Sequence, residues 1–174
     1  KIYSQIIGTG SYIPPKIVKN KDFLNNTFLE STGEIVDKDN QEIVDKFEEI
    51  TTISERRYAD DNEVTSDLAL IAAETKKDET RIDVLPALAS RLKAKLNIRN
   101  PFTVAYDVIF GCPGWVQAMI QADYYIRSGD AKKILVVGAD ILSRVSDPHD
   151  RDSMIYADGA GATILEAVES NTPV

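Results

Sequence analysis

Cys112 is the residue whose type and setting could carry covalent chemistry in this chain. It stands in the run Tyr106-Asp-Val-Ile-Phe-Gly-Cys-Pro-Gly-Trp115. A thiolate is a strong nucleophile and can hold an acyl group as a thioester. An apolar β-type run leads into Gly111-Cys112, and a helical pattern opens at Pro113 and continues to about Ser128. That places the cysteine at a helix N-terminus, where unpaired N–H groups and the helix dipole favour the thiolate. Pro113 suits a first helical turn, since its absent N–H would be unpaired there anyway. Gly111 permits a sharp turn, and Gly114 allows a ligand or backbone to come close. The alternative is a small buried apolar cysteine with no chemistry, the common fate of a free thiol.

Other candidates are weaker. Arg56 and Arg57 could bind phosphate, or be solvated or paired with carboxylates on a polar connection. His149 sits in a polar loop. Asp158 could be a buried polar anchor. The carboxylates of residues 40–50 read as a solvated helix face. A single cysteine excludes an internal disulfide framework and a cysteine-rich zinc site, and a single histidine excludes a multi-histidine metal centre. No metal and no cofactor is expected.

The elements that must position Cys112 are legible in outline. At 174 residues and 43% hydrophobic, the chain can build a core and is not disordered. Residues 2–13 read as a strand broken by glycines and stopped by Pro14-Pro15. Residues 20–30 read as a helix with Asn20 as N-cap and Phe23, Leu24, Phe28 and Leu29 on one face. Residues 31–40 suggest an exposed loop or hairpin, 40–50 a short acidic helix and 51–63 a polar connection. Thr65-Ser66-Asp67 caps a helix with Leu68, Ile71, Ala72 and Thr75 at helical spacing. Residues 84–96 give another helix, with Leu85, Leu88, Leu92 and Leu96 on one face, ended by Asn97.

Residues 103–110 read as a strand and 113–128 as a helix closed by Gly129. Residues 132–139 read as a strand covered on both faces. Strand, helix and strand over 103–139 predict a right-handed βαβ unit, so the fold class is α/β. The formal net charge of −8 argues against nucleic acid as a partner. No apolar stretch approaches a membrane span and no secretory signal is visible, so a soluble cytoplasmic protein is the expectation. Lys1 in place of Met makes a trimmed or missing start the expectation as well.

Four segments together resemble the N-terminal half of a β-ketoacyl-acyl-carrier-protein synthase III, a thiolase-fold condensing enzyme. They are Ile6-Ile-Gly-Thr-Gly-Ser-Tyr-Ile-Pro14, Ile53-Ser-Glu-Arg-Arg57, Ala105 to Trp115, and Tyr156-Ala-Asp-Gly-Ala-Gly-Ala162. Their order and spacing carry more than any one of them, and they span nearly the whole chain. The resemblance implies a thiolase-like half over 1–174, with a mixed five-stranded sheet and helices on both faces. It implies that Cys112 accepts an acyl group from an acyl-CoA or acyl-carrier-protein donor, with its own backbone N–H as an oxyanion donor. Malonyl-acyl-carrier-protein would then lose carbon dioxide and attack the acyl-cysteine. Trp115, Arg56 and Arg57 are the implied substrate-binding residues, and a homodimer is the implied assembly. The small residues of Asp158-Gly-Ala-Gly-Ala162 would allow close strand packing.

The chain departs from the family pattern in four places. The family's histidine and asparagine lie in a C-terminal half absent here, so this chain alone is expected not to complete a condensation. His149 matches neither. A core strand is expected to be missing at the Asp83–Val84 junction. Lys46 and Ile50 stand where a tryptophan and an arginine often flank the adenine of coenzyme A, which makes a carrier-protein donor plausible. Pro113 and Trp115 replace the usual serine and phenylalanine, so Trp115 could reshape the acyl pocket. The rival readings are a related condensing enzyme such as a hydroxymethylglutaryl-CoA synthase, a non-catalytic thiolase-fold partner subunit, and an α/β binding domain with a structural cysteine.

Overall fold

The computed structural model describes residues 1–74 and 88–172. In chain order these form strands β1 (Ile2–Tyr12) and β2 (Lys16–Lys19), helix α1 (Asn40–Thr51) and strand β3 (Glu55–Tyr58). Helices α2 (Thr65–Glu74), α3 (Leu88–Lys95) and α4 (Gly114–Ser128) follow, then strands β4 (Lys133–Ile141) and β5 (Asp158–Glu169). The chain divides into two compact units. Unit 1 holds Lys1–Tyr12, Val64–Ala139 and Ala160–Val174, and unit 2 holds Ile13–Glu63 and Asp140–Gly159.

Unit 1 is a three-stranded sheet, ordered β1-β5-β4, with helices on both faces. β1 runs antiparallel to β5, and the register slips once between Ile6 and Gly8, where the expected glycine break becomes a bulge. On one face α4 presses Ala122 and Ile126 against Ile134, Val136 and Leu165. On the other face Ala72 and Ala73 of α2, with Leu96, meet Leu135, Val137 and Ala162. β4 is thus covered on both sides, as its unbroken apolar run requires. Gly129 ends α4 at φ 87°, a left-handed conformation that glycine adopts without a Cβ clash. Ser4 Oγ on β1 donates to Asp123 Oδ1 on α4 at 2.5 Å and fixes the helix along the sheet.

The segment 103–110 departs from expectation. It has strand-like composition but forms no ladder among the described residues. β5 already has a neighbour on each side, and the segment joins neither outer edge. Among the described residues the βαβ unit is therefore not formed, and the five strands divide into sheets of three and two rather than one sheet of five. The expected helix over 84–96 begins, in its described part, at Leu88. Leu85, Thr75 and the Asp83–Val84 junction lie outside the described residues. In α2 the buried positions are Ser66, Leu68, Ala69, Ala72 and Ala73, while Ile71, expected inward, is exposed.

Unit 2 packs Phe23, Phe28, Val36, Ile43, Val44 and Met154 into a separate core. α1 matches its predicted span, with Asp39 accepting from Gln41 N as the N-cap. Residues 20–30 are not a helix. Only Asn20–Phe23 make a 3-10 turn. Asn40 Nδ2 donates to the carbonyls of Leu24 and Asn26, and Leu29 N donates to His149 O, so these backbone groups serve loop packing instead of helix bonds. The expected hairpin beyond it is present as a Leu29–Ile35 bridge with Gly33 at φ 85°. β2 and β3 pair antiparallel, and β3 lies within the stretch read as a polar connection.

Asp67 ties α2 to α3 and yields a pH prediction. Its carboxylate accepts from Val64 N at 2.9 Å and pairs with the Lys95 ammonium. The Lys95 hydrogen bond, then the Val64 N–H, hold the Asp67 carboxyl below the usual aspartate range. A depressed folded value means the stabilisation is present above the unfolded pKa and is lost as pH falls through the folded one. Asp67→Asn keeps the acceptor for Val64 and removes only the charge. We expect it to cost under about 1 kcal/mol at pH 7, since the pair is partly solvated. In urea denaturation its deficit against the parent should shrink below about pH 4. A constant deficit across pH would contradict this.

Candidate active site

Cys112 sits in a four-residue turn of unit 1. Gly111 adopts φ 62°, which a side chain would strain, and Gly114 N donates to Gly111 O at 2.8 Å to close the turn. Pro113 is the N-cap of α4, and Gln117 N donates to Pro113 O at 3.0 Å as the helix begins. The helix therefore opens one residue later than its sequence pattern suggests, with Cys112 just ahead of it. The Cys112 side chain is exposed, which overturns the reading of a plain core cysteine. Its backbone N–H meets no acceptor among the described residues. An open thiol beside a free N–H is an arrangement in which a carbonyl could be attacked and its oxygen held.

The segment leading into Cys112 is held by side chains in place of a ladder. Asp107 Oδ2 and Oδ1 accept from Leu88 N and Ala89 N, both at 2.9 Å, and so cap α3. Tyr106 Oη donates to Gln121 Oε1 of α4 at 2.7 Å. Burial, followed by contact with the Tyr125 hydroxyl, pushes the Tyr106 phenol up to about 12, so it remains a donor at any working pH. Ala105 is fully buried, whereas Phe102, Val104, Ile109 and Phe110 are exposed, Ile109 at 93%.

Trp115, three residues beyond the thiol, borders an open groove. Thr9 and Gly10 of β1, Gly138 of β4, and Gly161, Ala162 and Thr163 of β5 complete its lining. A Cβ added at Gly138 would lie 3.7 Å from Trp115 Cδ1, so the indole rests over this glycine. Gly161 has more room: a Cβ there would sit 4.0 Å from Gly10 O. Its smallness is not demanded by strand packing, which corrects the close-packing reading of that glycine.

The remaining candidates fall in unit 2. Arg56 is 4% exposed, and its Nε, Nη1 and Nη2 donate to Met154 O, Val18 O and Asn20 Oδ1. Its guanidinium also stacks over Phe23, 4.9 Å from the ring centroid. Burial lowers its pKa from the ordinary value. With its three nitrogens so engaged, Arg56 does not suit the substrate contact expected of it; it organises the core. Arg57 is partly exposed and pairs with Glu55 at 3.6 Å. His149 Nδ1 contacts Thr27 O at 2.8 Å and pins a loop. Asp158 is the anchor that the sequence left open. Its Oδ2 accepts from Ala59 N at 2.8 Å and Ser143 Oγ at 2.6 Å, and its Oδ1 accepts from Ser143 N at 2.9 Å. Among the described residues no cluster of three or more ligating side chains could hold a metal.

Residues 106–173 match the family profile of 3-oxoacyl-[acyl-carrier-protein] synthase III. Over 95% of its length the chain is 37% identical to β-ketoacyl-[acyl-carrier-protein] synthase III 1 of Vibrio parahaemolyticus, covering 53% of that protein. It is 39% identical to β-ketoacyl-[acyl-carrier-protein] synthase III of Xanthomonas oryzae, over 97% of this chain and again 53% of the relative. The chain is like the N-terminal half of a synthase III. It spans about half the length of the curated relatives it matches. A solved 3-oxoacyl-(acyl-carrier protein) synthase from Burkholderia xenovorans superposes with a TM-score of 0.80 at 27% identity, over 97% of this chain and 49% of that one. The synthase III of Thermus thermophilus gives 0.70 at 31% identity, over 95% and 52%. The fold is thus a thiolase-like half, as the four motifs implied.

Within this synthase III-like half, sequence reasoning located Cys112, Gly111 and Trp115. It did not find Tyr106, Gln121 or Asp107 as the supports of the nucleophile turn. Tyr106 and Gln121 lie 15 positions apart on an irregular segment and a helix, and no local pattern links them. For Asp107 there was a faint signal, a carboxylate interrupting an apolar run.

Proposed function

We propose that Cys112 is the acyl-accepting nucleophile of a β-ketoacyl-acyl-carrier-protein synthase III-type acyltransferase. The observation that carries this is the exposed thiol in a tight glycine turn immediately ahead of α4. The Cys112 thiolate attacks the carbonyl of an acyl-CoA or acyl-carrier-protein thioester. The C–S bond to the carrier breaks, the carrier thiol leaves with a proton, and an acyl-cysteine remains. The Cys112 N–H stabilises the oxyanion in between. Malonyl-acyl-carrier-protein then loses carbon dioxide, and the resulting enolate carbon attacks the acyl carbonyl. A carbon–carbon bond forms and the Cys112 thiolate is released.

Trp115 forms one wall for the acyl chain. Arg57, at the surface, is a minor contact for the donor. The second half of the condensing site, with the family's histidine and asparagine, belongs to the part of the protein beyond the span of this chain. The apolar outer stripe of α4, Val116, Ile120 and Tyr124, is exposed and in keeping with coverage by such a half. We place the protein in fatty acid or related lipid or polyketide biosynthesis, as a cytoplasmic homodimer. One supporting fact is that, among the described residues, no helix is long and apolar enough to cross a membrane. We also read a segment as missing near Asp83–Val84. In keeping with this, the Vibrio alignment runs over 183 residues, more than this chain possesses, so the relative has positions the chain lacks.

The test incubates the full-length protein with acyl-CoA and acyl-carrier-protein thioesters and weighs the Cys112 peptide. An acyl mass on that peptide is expected and would identify the donor class. No adduct from any donor, in folded protein, would move the reading to a non-catalytic partner subunit.

A further inference from the structure

We infer that Tyr106 is a positioning residue for Cys112, acting through its hydrogen bond to Gln121. The inference rests on Cys112 being the nucleophile, as proposed above. Among the described residues, 103–110 take part in no ladder, and the bonds that hold the segment are made by its side chains. Those bonds must hold Cys112 at a fixed height above the start of α4.

The segment runs back along the helix it precedes. A Cβ on Gly114 would lie 3.5 Å from Val108 O and 3.9 Å from Phe110 Cβ, so the last residues before the turn rest on the first turn of α4. Further back, the Tyr106 hydroxyl reaches Gln121 Oε1 at 2.7 Å. The bond closes a loop from 106 to 121 with Cys112 inside it. Asp107 fastens the neighbouring residue to α3 through two backbone N–H groups. The segment is therefore stapled on two sides by adjacent side chains, and the Tyr106 staple is the one that ends on α4. Losing it would let the turn shift relative to α4 while both elements stay folded. A shift of well under an ångström at a nucleophile is enough to slow attack, because reacting atoms must be held near 3 Å and aligned.

Tyr106→Phe removes one oxygen and keeps the ring, and Gln121→Met removes the acceptor at similar volume. Both are made in the full-length protein and acylated in single turnovers with an acyl thioester. The rate constant at saturating donor should fall about fivefold in each, the equivalent of about 1 kcal/mol for one hydrogen bond. The double variant should be no slower than Tyr106→Phe alone, because once the hydroxyl is gone Gln121 has no bond to it left to lose. The fraction of Cys112 finally acylated should not change, and donor half-saturation should stay within about twofold. A merely structural role would lower that fraction and leave the rate constant of the folded molecules alone. Alkylation of Cys112 by iodoacetamide is followed in parallel. If the parent is alkylated but never acylated, the functional reading fails. Acylation rate constants in both single variants equal to the parent's, or effects that multiply in the double variant, would overturn the positioning role.

Discussion

In the full-length protein, replacing Cys112 with serine should abolish the proposed acyl-enzyme and lower condensation by at least about a thousandfold. The size of the effect follows from the chemistry of the two groups. A thiol ionises within reach of neutral pH and its thiolate attacks a thioester at little cost, whereas a serine hydroxyl needs a general base. No histidine adjoins Cys112 in sequence, and His149, the single histidine of the chain, is engaged with Thr27 O in unit 2. Serine would keep the turn, since Gly111 and Gly114 set its geometry and the Cys112 side chain is exposed. The variant should therefore melt within a degree or two of the parent, on the general expectation for surface substitutions of about 0.5 kcal/mol or less. Intact-mass analysis after exposure to acyl thioesters reads the first outcome, and a coupled condensation assay reads the second. An acyl mass that persists on the serine variant would place the nucleophile elsewhere and remove the central claim.

The second large effect concerns folding. Asp158→Ala should destabilise the protein by about 3 kcal/mol. The carboxylate is buried and accepts from two backbone N–H groups and one hydroxyl, joining residues 59, 143 and 158, up to 99 positions apart. Alanine leaves all three donors without this acceptor in a place that water cannot readily reach. Hydrogen bonds to a charged acceptor are worth about 1.5–3 kcal/mol each, and partial relaxation keeps the total near the value of one or two. Asp158→Asn should lose less, because one amide oxygen still accepts while its NH₂ cannot. Ser143→Ala, which removes one of the three bonds, should cost about 1 kcal/mol. Urea denaturation of the three variants gives this ranking directly. A loss below about 0.5 kcal/mol for Asp158→Ala would show that the carboxylate is not the anchor its geometry indicates.

Both effects arise from motifs visible in the sequence, yet for only one of them was the role visible too. The setting of Cys112 is local: a glycine, a cysteine, a proline and a helical pattern are consecutive, and turn and helix geometry follow from neighbours in the chain. The spans of β1, β4, α1 and α4, the Gly129 cap and the hairpin at Gly33 were legible for the same reason. Hydrophobic period and glycine placement act over a few residues.

Tertiary structure decided what depends on distant partners. Residues 20–30 have a helical apolar face, but Asn40 and His149 claim their backbone groups and the helix does not form. Residues 103–110 have strand composition, but a strand exists only with a neighbour to bond, and among the described residues the segment pairs with none. Adjacent arginines look alike in a sequence. In the fold one of them is buried against Phe23 with three oxygen acceptors, and the other remains partly at the surface beside Glu55. The sequence by itself determined where the candidate nucleophile lies and which local elements present it. Only the folded chain determined the Tyr106–Gln121 bond behind the Cys112 turn and, separately, the Asp158 anchor of unit 2, because each joins residues that chain order keeps apart.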